Sequence, residues 1–301
     1  MTLRTLAFGT LLIIAIRAGA VEKESEPEAY WDYGFGIGAV RLEHYPASNE
    51  FWTLALPAPT FQYRGKILRA DDRDGAHLYL YKGDIVTVEL AGEGTPGLSS
   101  SDSAVRKGMA DLPWVAALGA QLVYRPISDF EFASGLYQAL ATDFKTGKPA
   151  GNILEAHVTY NWIFPIRKTW PFTEDGYSTG KFNFSLKSAT ADNLAFYFDV
   201  PSASATSDRP AYDARAGLLS RSFSYYQTFK SGRASYYMGA ALKSYDISAN
   251  RQSPLHKSDN NVLAFFGFNY TLGESSKPAV PREQTGGVLD GLRNRQLRDN
   301  F

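Results

Sequence analysis

His44, His77, His157 and His256 are the only histidines in 301 residues, and there is no cysteine. Neither H-x-x-x-H nor H-E-x-x-H spacing occurs, so a zinc site has no support in the sequence. The lack of cysteine also excludes a disulfide scaffold and any thiol nucleophile. His157 carries the most chemistry. On a strand it shares a face with Glu155 and Thr159, each about 7 Å away. A His–Glu pair inside a barrel could belong to a Ser–His hydrolase. The serine would then have to come from another strand, because no G-x-S-x-G elbow is present. The plainer reading is a wall residue in a hydrogen-bonded polar lumen, and it is the one adopted. No catalytic, cofactor-binding or metal-binding residue is assigned, and no cofactor is expected.

The other candidate residues are charged. Glu89, Glu131, Glu155, Lys181, Lys187, Arg215, Arg233 and Lys243 fall, with His157, on the polar faces of alternating segments. They are expected to face a lumen, either as a salt-bridged plug or as a solute path. A second set, Arg293, Arg295 and Arg298, stands in a basic tail that could meet acidic protein or cell-wall groups.

Strands must position these residues, because the apolar period is two. In 260–272, Val262, Ala264, Phe266, Phe268, Tyr270 and Leu272 share one face. Asn261, Gly267, Asn269 and Thr271 share the other, with Leu263 and Phe265 as exceptions. Similar alternation marks 114–125, 129–140, 152–164, 179–188 and 233–246. The segment 213–228 changes phase, which predicts a bulge near Leu219. Tyr33, Phe35, Ile37 and Ala39 alternate with Gly34, Gly36 and Gly38. No helix follows, so a nucleotide loop is rejected. Segment 52–62 is weakened as a strand by Pro57 and Pro59. Residues 66–91 read as three short strands or one bulged one. Short turns then alternate with longer loops at 92–111, 141–151, 189–212 and 247–259. The link 165–177 is the exception, being long on the short-turn rim. The expected fold is all-β, a transmembrane antiparallel barrel of twelve strands, with ten as the alternative. A soluble sandwich would have shorter strands. Trp31, Trp52, Trp114, Tyr124, Trp162, Trp170 and Tyr270 are expected in interfacial girdles.

Composition agrees with export. Aromatics make up 14%, and mean hydropathy is only −0.26, as expected when each strand is half apolar. Lys+Arg and Asp+Glu are both 31, so no basic excess argues for nucleic acid. Residues 1–20 read as a secretory signal, with Arg4, an apolar core over 6–16 and an Ala18-Gly19-Ala20 cleavage site. The barrel is then expected over 21–272 and a periplasmic tail over 273–301.

From Trp31 to Leu272 the chain resembles the MipA/OmpV family of outer-membrane proteins. The resemblance rests on the glycine-alternating first strand, Tyr63-Arg64-Gly65, Lys107-Gly108-Met109-Ala110-Asp111, Pro210-Ala211-Tyr212-Asp213-Ala214, and Ser253-Pro254-Leu255 followed by 260–272. It implies an outer-membrane barrel without agreed catalytic residues. Family members include a scaffold bridging a murein hydrolase to a synthase, and an adhesin-like protein. Function therefore carries over less safely than fold.

Three functions follow as expectations. The first is a non-enzymatic scaffold for murein hydrolases and synthases, working through 165–177 and the tail. The second is a narrow channel, adhesin or ligand-binding barrel, working through lumen and loops. The third is a lipid hydrolase using His157. Outer-membrane lipid and the barrel assembly machinery are implied partners, since Gly267-x-x-Tyr270-x-Leu272 looks like a last-strand assembly signal.

Overall fold

The computed structural model describes residues 29–71, 75–127, 129–166 and 176–275. The expected signal, Trp170, most of the 165–177 link, and the tail arginines Arg293, Arg295 and Arg298 lie outside these residues.

Twelve antiparallel strands close into a barrel in which each pairs with the next and the last pairs with the first. They are β1 (Tyr30–Glu43), β2 (Phe51–Arg64), β3 (Leu68–Asp71), β4 (Gly75–Lys82), β5 (Val86–Thr95), β6 (Trp114–Ile127), β7 (Phe130–Thr142), β8 (Gly147–Ile166), β9 (Gly176–Ala189), β10 (Gly217–Ser231), β11 (Ala234–Ser244) and β12 (Asn260–Glu274). The twelve-strand expectation holds, with residues 66–91 contributing three of the strands. The barrel itself runs from Tyr30 to Glu274.

The two-residue period explains the wall. On β6, Trp114, Leu118, Leu122 and Tyr124 are exposed, whereas Val115, Ala117, Gln121 and Val123 are buried. The same outward apolar set recurs as Leu136 and Leu140 on β7, Leu154 and Val158 on β8, and Phe182 and Phe184 on β9. A water-soluble barrel would bury such residues. This one presents them as a continuous band, the surface that lipid tails solvate. A linked row of rings, Tyr124–Phe132, Phe130–Tyr160, Trp162–Phe182 and Phe182–Tyr225, marks the band toward the rim that carries the termini. Trp114 and Phe144, with centroids 5.6 Å apart, mark it toward the opposite, loop rim. Trp52 departs from the girdle expectation. It pairs with Leu42, its side chain lies inside, and its ring sits 4.7 Å from that of His44.

β12 closes on β1 in continuous register from Gly34–Thr271 to Arg41–Ala264. The glycine face of β1 points inward. A Cβ at Gly36 would stand 2.7 Å from the Phe268 carbonyl oxygen, and one at Gly34 would run into that of Tyr270. Leu263 and Phe265, which broke the polar face of β12, also point inward. Phe265 packs against the rings of Tyr226 and Tyr237 there.

On β10 the pairing with β9 shifts between Leu218 and Ser220, so Leu219 is the bulged residue. The strand starts at Gly217, however, leaving 213–216 in the preceding loop. The expected 141–151 loop is instead a long hairpin, because β7 runs to Thr142 and β8 starts at Gly147.

Candidate functional site

The loops at the rim opposite the termini do not hang free. They fold together as a lid. Residues 190–216 contain the helix α1 (Ala191–Phe198), which buries Asn193, Leu194, Tyr197 and Phe198 on one side. A helix of two turns is marginal in water, so this packing holds it. Asp192 in the first turn adds a favourable charge at the dipole's positive end. Leu194, Tyr197 and Phe198 join Tyr45, Leu98, Met109, Tyr245 and Leu255 from the other loops in one apolar core. The same core includes the inward residues Val115, Ala117, Tyr137, Ala139 and Leu219 of the wall. The lid is therefore seated in the mouth.

Polar bonds cross-link it. Tyr45 donates to the Leu255 carbonyl (2.9 Å), Ser253 to that of Phe198 (2.7 Å) and Asn193 to that of Ala150 (3.0 Å). Arg106 donates to the Tyr197 carbonyl (3.3 Å) beneath the Tyr45 ring. Burial pushes the Tyr45 phenol up to about 12 and lowers the Arg106 guanidinium. Burial, then the nearby Glu43 charge, raises the Tyr245 phenol well above its ordinary value. These groups hold one protonation state at neutral pH, which suits a fixed plug.

Below the lid the wall is polar. Arg125 bonds Glu131 (2.9 Å) and Thr87 (3.1 Å). His157 Nε2 lies 3.7 Å from Glu131. Glu89 takes His77 (3.1 Å) and Gln121 (3.4 Å), and Gln121 accepts from Tyr137 (2.6 Å). Lys187 meets Glu93 at 2.6 Å and Glu155 at 3.3 Å. Lys243 meets Glu43 at 3.2 Å, and Lys181 stands over the Tyr226 ring.

The nine predicted lumen residues thus divide. Glu89, Glu131, Glu155, His157, Lys181, Lys187 and Lys243 do line the interior. Arg215 does not: it is exposed in the loop before β10, and its backbone N–H is held by Asn250. Arg233 does not either; it is exposed in the turn joining β10 to β11. Both were misplaced because the alternation was carried past the true strand ends.

Register also supplies what the sequence hid. Ser185 of β9 sits directly opposite His157. Its hydroxyl bonds Ser222 (2.8 Å) instead of the imidazole, and the His157–Glu131 separation is too long for an orienting hydrogen bond. This is not the geometry of an activated serine. No group of three or more His, Cys, Asp or Glu among the described residues is placed to hold a metal ion.

Among solved structures, a NanC porin is similar over 79% of this chain and 100% of its own, with 8% identity and a TM-score of 0.35. A Pseudomonas aeruginosa FadL homologue matches over 79% and 67%, with 10% identity and a TM-score of 0.28. Acinetobacter baumannii OccAB1 matches over 75% and 68%, with 9% identity and a TM-score of 0.26. No curated protein matches the sequence. A family model described as MltA-interacting protein MipA matches residues 35–272.

Proposed function

The chain belongs to the MipA family, and from that membership we propose that this outer-membrane barrel is a non-enzymatic scaffold for cell-wall enzymes. One observation carries the reading: the lid seated in the mouth, which obstructs transport along the axis. A barrel whose axis is blocked is better suited to holding partners than to passing solutes. The terminal rim is the face left for docking, and it would lie in the periplasm. There Tyr30 donates to Glu274 (3.0 Å), with Asp32 buried beside them and Lys230 3.5 Å from the Tyr30 hydroxyl. The family's description names MltA as an interacting protein, which supports a murein hydrolase as the partner. The link 165–177 and the tail 273–301, with Arg293, Arg295 and Arg298, are the proposed contacts.

The test is co-purification from detergent-solubilised outer membranes. The full chain retains a lytic transglycosylase. Variants with 276–301 deleted, or with 167–175 replaced by a short turn, lose it. Unchanged capture by both variants means the scaffold reading is wrong.

A second reading is supported by the fixed lid itself. It offers a shallow cleft lined by Val200, Ser202 and Ala211–Arg215, which suits a surface-binding role. Loss of cell or ligand attachment on replacing 200–215, with murein-enzyme capture intact, would favour it over the scaffold.

A further inference from the structure

The barrel wall is not equally closed all round. β2 is fourteen residues long, but only Tyr63 and Arg64 pair with β3. β3 and β4 form a short hairpin near the terminal rim, and β4 covers β5 only as far as Ala91. Among the described residues, no strand pairs with 51–62 on that side of β2, nor with 92–95 on the facing side of β5. The missing stretch lies within the apolar band. Gly92 and Gly94 pair with Leu118 and Ala116 on β6, while Pro57 and Pro59 pair with Ile37 and Phe35 on β1.

An open strand edge facing hydrocarbon is costly, because its donors find no water. The sequence deals with this on β2. Gly65 donates to the Leu68 carbonyl across the β2–β3 turn (2.8 Å). The N–H groups of the odd-numbered residues therefore face β3 and, further along the unbroken register, the gap. Pro57 and Pro59 occupy two of these positions and have no N–H to leave unsatisfied. Proline also blocks a further strand from adding there. The two prolines that weakened this segment as a strand suit it as a permanent edge.

The inner side of the gap differs from the rest of the lumen. Leu54 and Leu56 point inward, yet are 41% and 61% exposed, whereas the inward Thr159 and Ser185 of the opposite wall are 5% and 7%. From Leu54 and Leu56 an apolar ledge continues over Val40 and Gly38 to Tyr237 and Phe265. The Tyr237 hydroxyl lies 3.3 Å from where a Gly38 Cβ would stand, so the missing side chain leaves room for the ring. The Arg125–Glu131 and Lys187–Glu155 pairs sit across from this ledge, on β6 to β9, and the Lys243–Glu43 pair lies on its own side, beyond Val40 toward the loop rim.

We propose that the wall is open laterally between β2 and β5, and that the opening admits the alkyl chain of a membrane-dissolved amphiphile onto the Leu54–Leu56–Phe265 ledge. The axis is blocked at the loop rim, so the bilayer is the accessible source. The chain would lie on the ledge while its polar end meets the charged wall.

The full chain is reconstituted in liposomes containing a phosphatidylcholine with a diazirine in its acyl chain, irradiated, and mapped by mass spectrometry. Adducts are expected on Leu54, Leu56 or Val40 as well as on the outward Phe35, Ile37 and Leu118. Ala58→Trp, which fills the ledge from its own inward position, should lose the inward adducts and keep the outward ones. Adducts confined to the outward face in the wild type overturn the proposal. So does persistence of the inward adducts in a heat-modifiable, folded A58W barrel. If A58W does not fold, the wild-type map alone decides.

Discussion

Lys187 Nζ stands 2.6 Å from the Glu93 carboxylate, although the two residues belong to β9 and β5, four places apart in the barrel. β9 and β5 are not neighbours, so this is not a cross-strand pair along the wall. It is a strut across the lumen, with Glu155 of β8 bracing its cation at 3.3 Å.

Removing the strut should loosen the interior. Lys187→Met leaves Glu93 and Glu155 unpaired in a partly screened site. It should cost about 1–3 kcal/mol, below the value for a fully buried pair. The expected readouts are a lower urea midpoint and a raised leak conductance in planar bilayers. Adding Glu93→Gln should restore part of the stability in a double-mutant cycle. Strict additivity would mean that the contact contributes nothing.

The lid should loosen in acid. The Arg251 hydrogen bond and then that of His256 hold the Asp259 carboxyl below the usual carboxylate range. The Ser244 hydroxyl and then the Arg221 charge do the same for Asp246. A depressed folded value means stability present above the unfolded value of about 4 and lost as pH falls through the folded one. Hydrogen exchange over 245–259, corrected for intrinsic rate, should be flat from neutral pH down to about 4 and rise below that. Asp259→Asn should show faster exchange at neutral pH and a weaker acid response. An unchanged profile in that variant would exclude Asp259 as a source of the acid sensitivity.

Barrel closure should fail at Gly34. An alanine methyl there meets the Tyr270 carbonyl, which is backbone and cannot step aside. Gly34→Ala should cost about 1–3 kcal/mol by overpacking and slow the formation of the heat-modifiable form. Gly75, with φ at 81° and open space around its missing Cβ, is strained by substitution without any such clash.

The outward band should be sensitive to charge according to depth. Leu118 lies midway between Trp114 and Tyr124 and is 64% exposed. Leu118→Arg should destabilise the barrel in lipid by about 2–4 kcal/mol, and the same change near either girdle by about 1 kcal/mol or less. Equal costs at all depths would mean that this face does not meet hydrocarbon.

How much of this was legible depended on whether one strand's own pattern contained it. β6, β7 and β8 alternate cleanly, so their facing residues could be read directly. The phase change at Leu219 gave the bulge. Trp52 was misassigned because an aromatic near a strand end was taken for a girdle residue without its face being known, and Arg215 because the alternation was carried upstream of Gly217. α1 left no readable mark, since eight residues show little periodicity and packing against other loops holds them. The Lys187–Glu93 strut and the Ser185–His157 apposition depend on how strands are staggered around the barrel, which no single segment encodes. The prolines of β2 were expected to weaken it as a strand, yet 51–64 pairs with β1 along its whole length, prolines included. That they border a gap required the length of the neighbouring hairpin.

The lid has one further consequence. Its segments share a single apolar core and donate hydrogen bonds into one another's backbones, so none can drift alone. Antibodies raised against isolated loop peptides would miss a surface that exists only as a composite. Grafting one loop from a relative would require the others to be grafted with it. Diversity on this face would come as exchange of the whole cap.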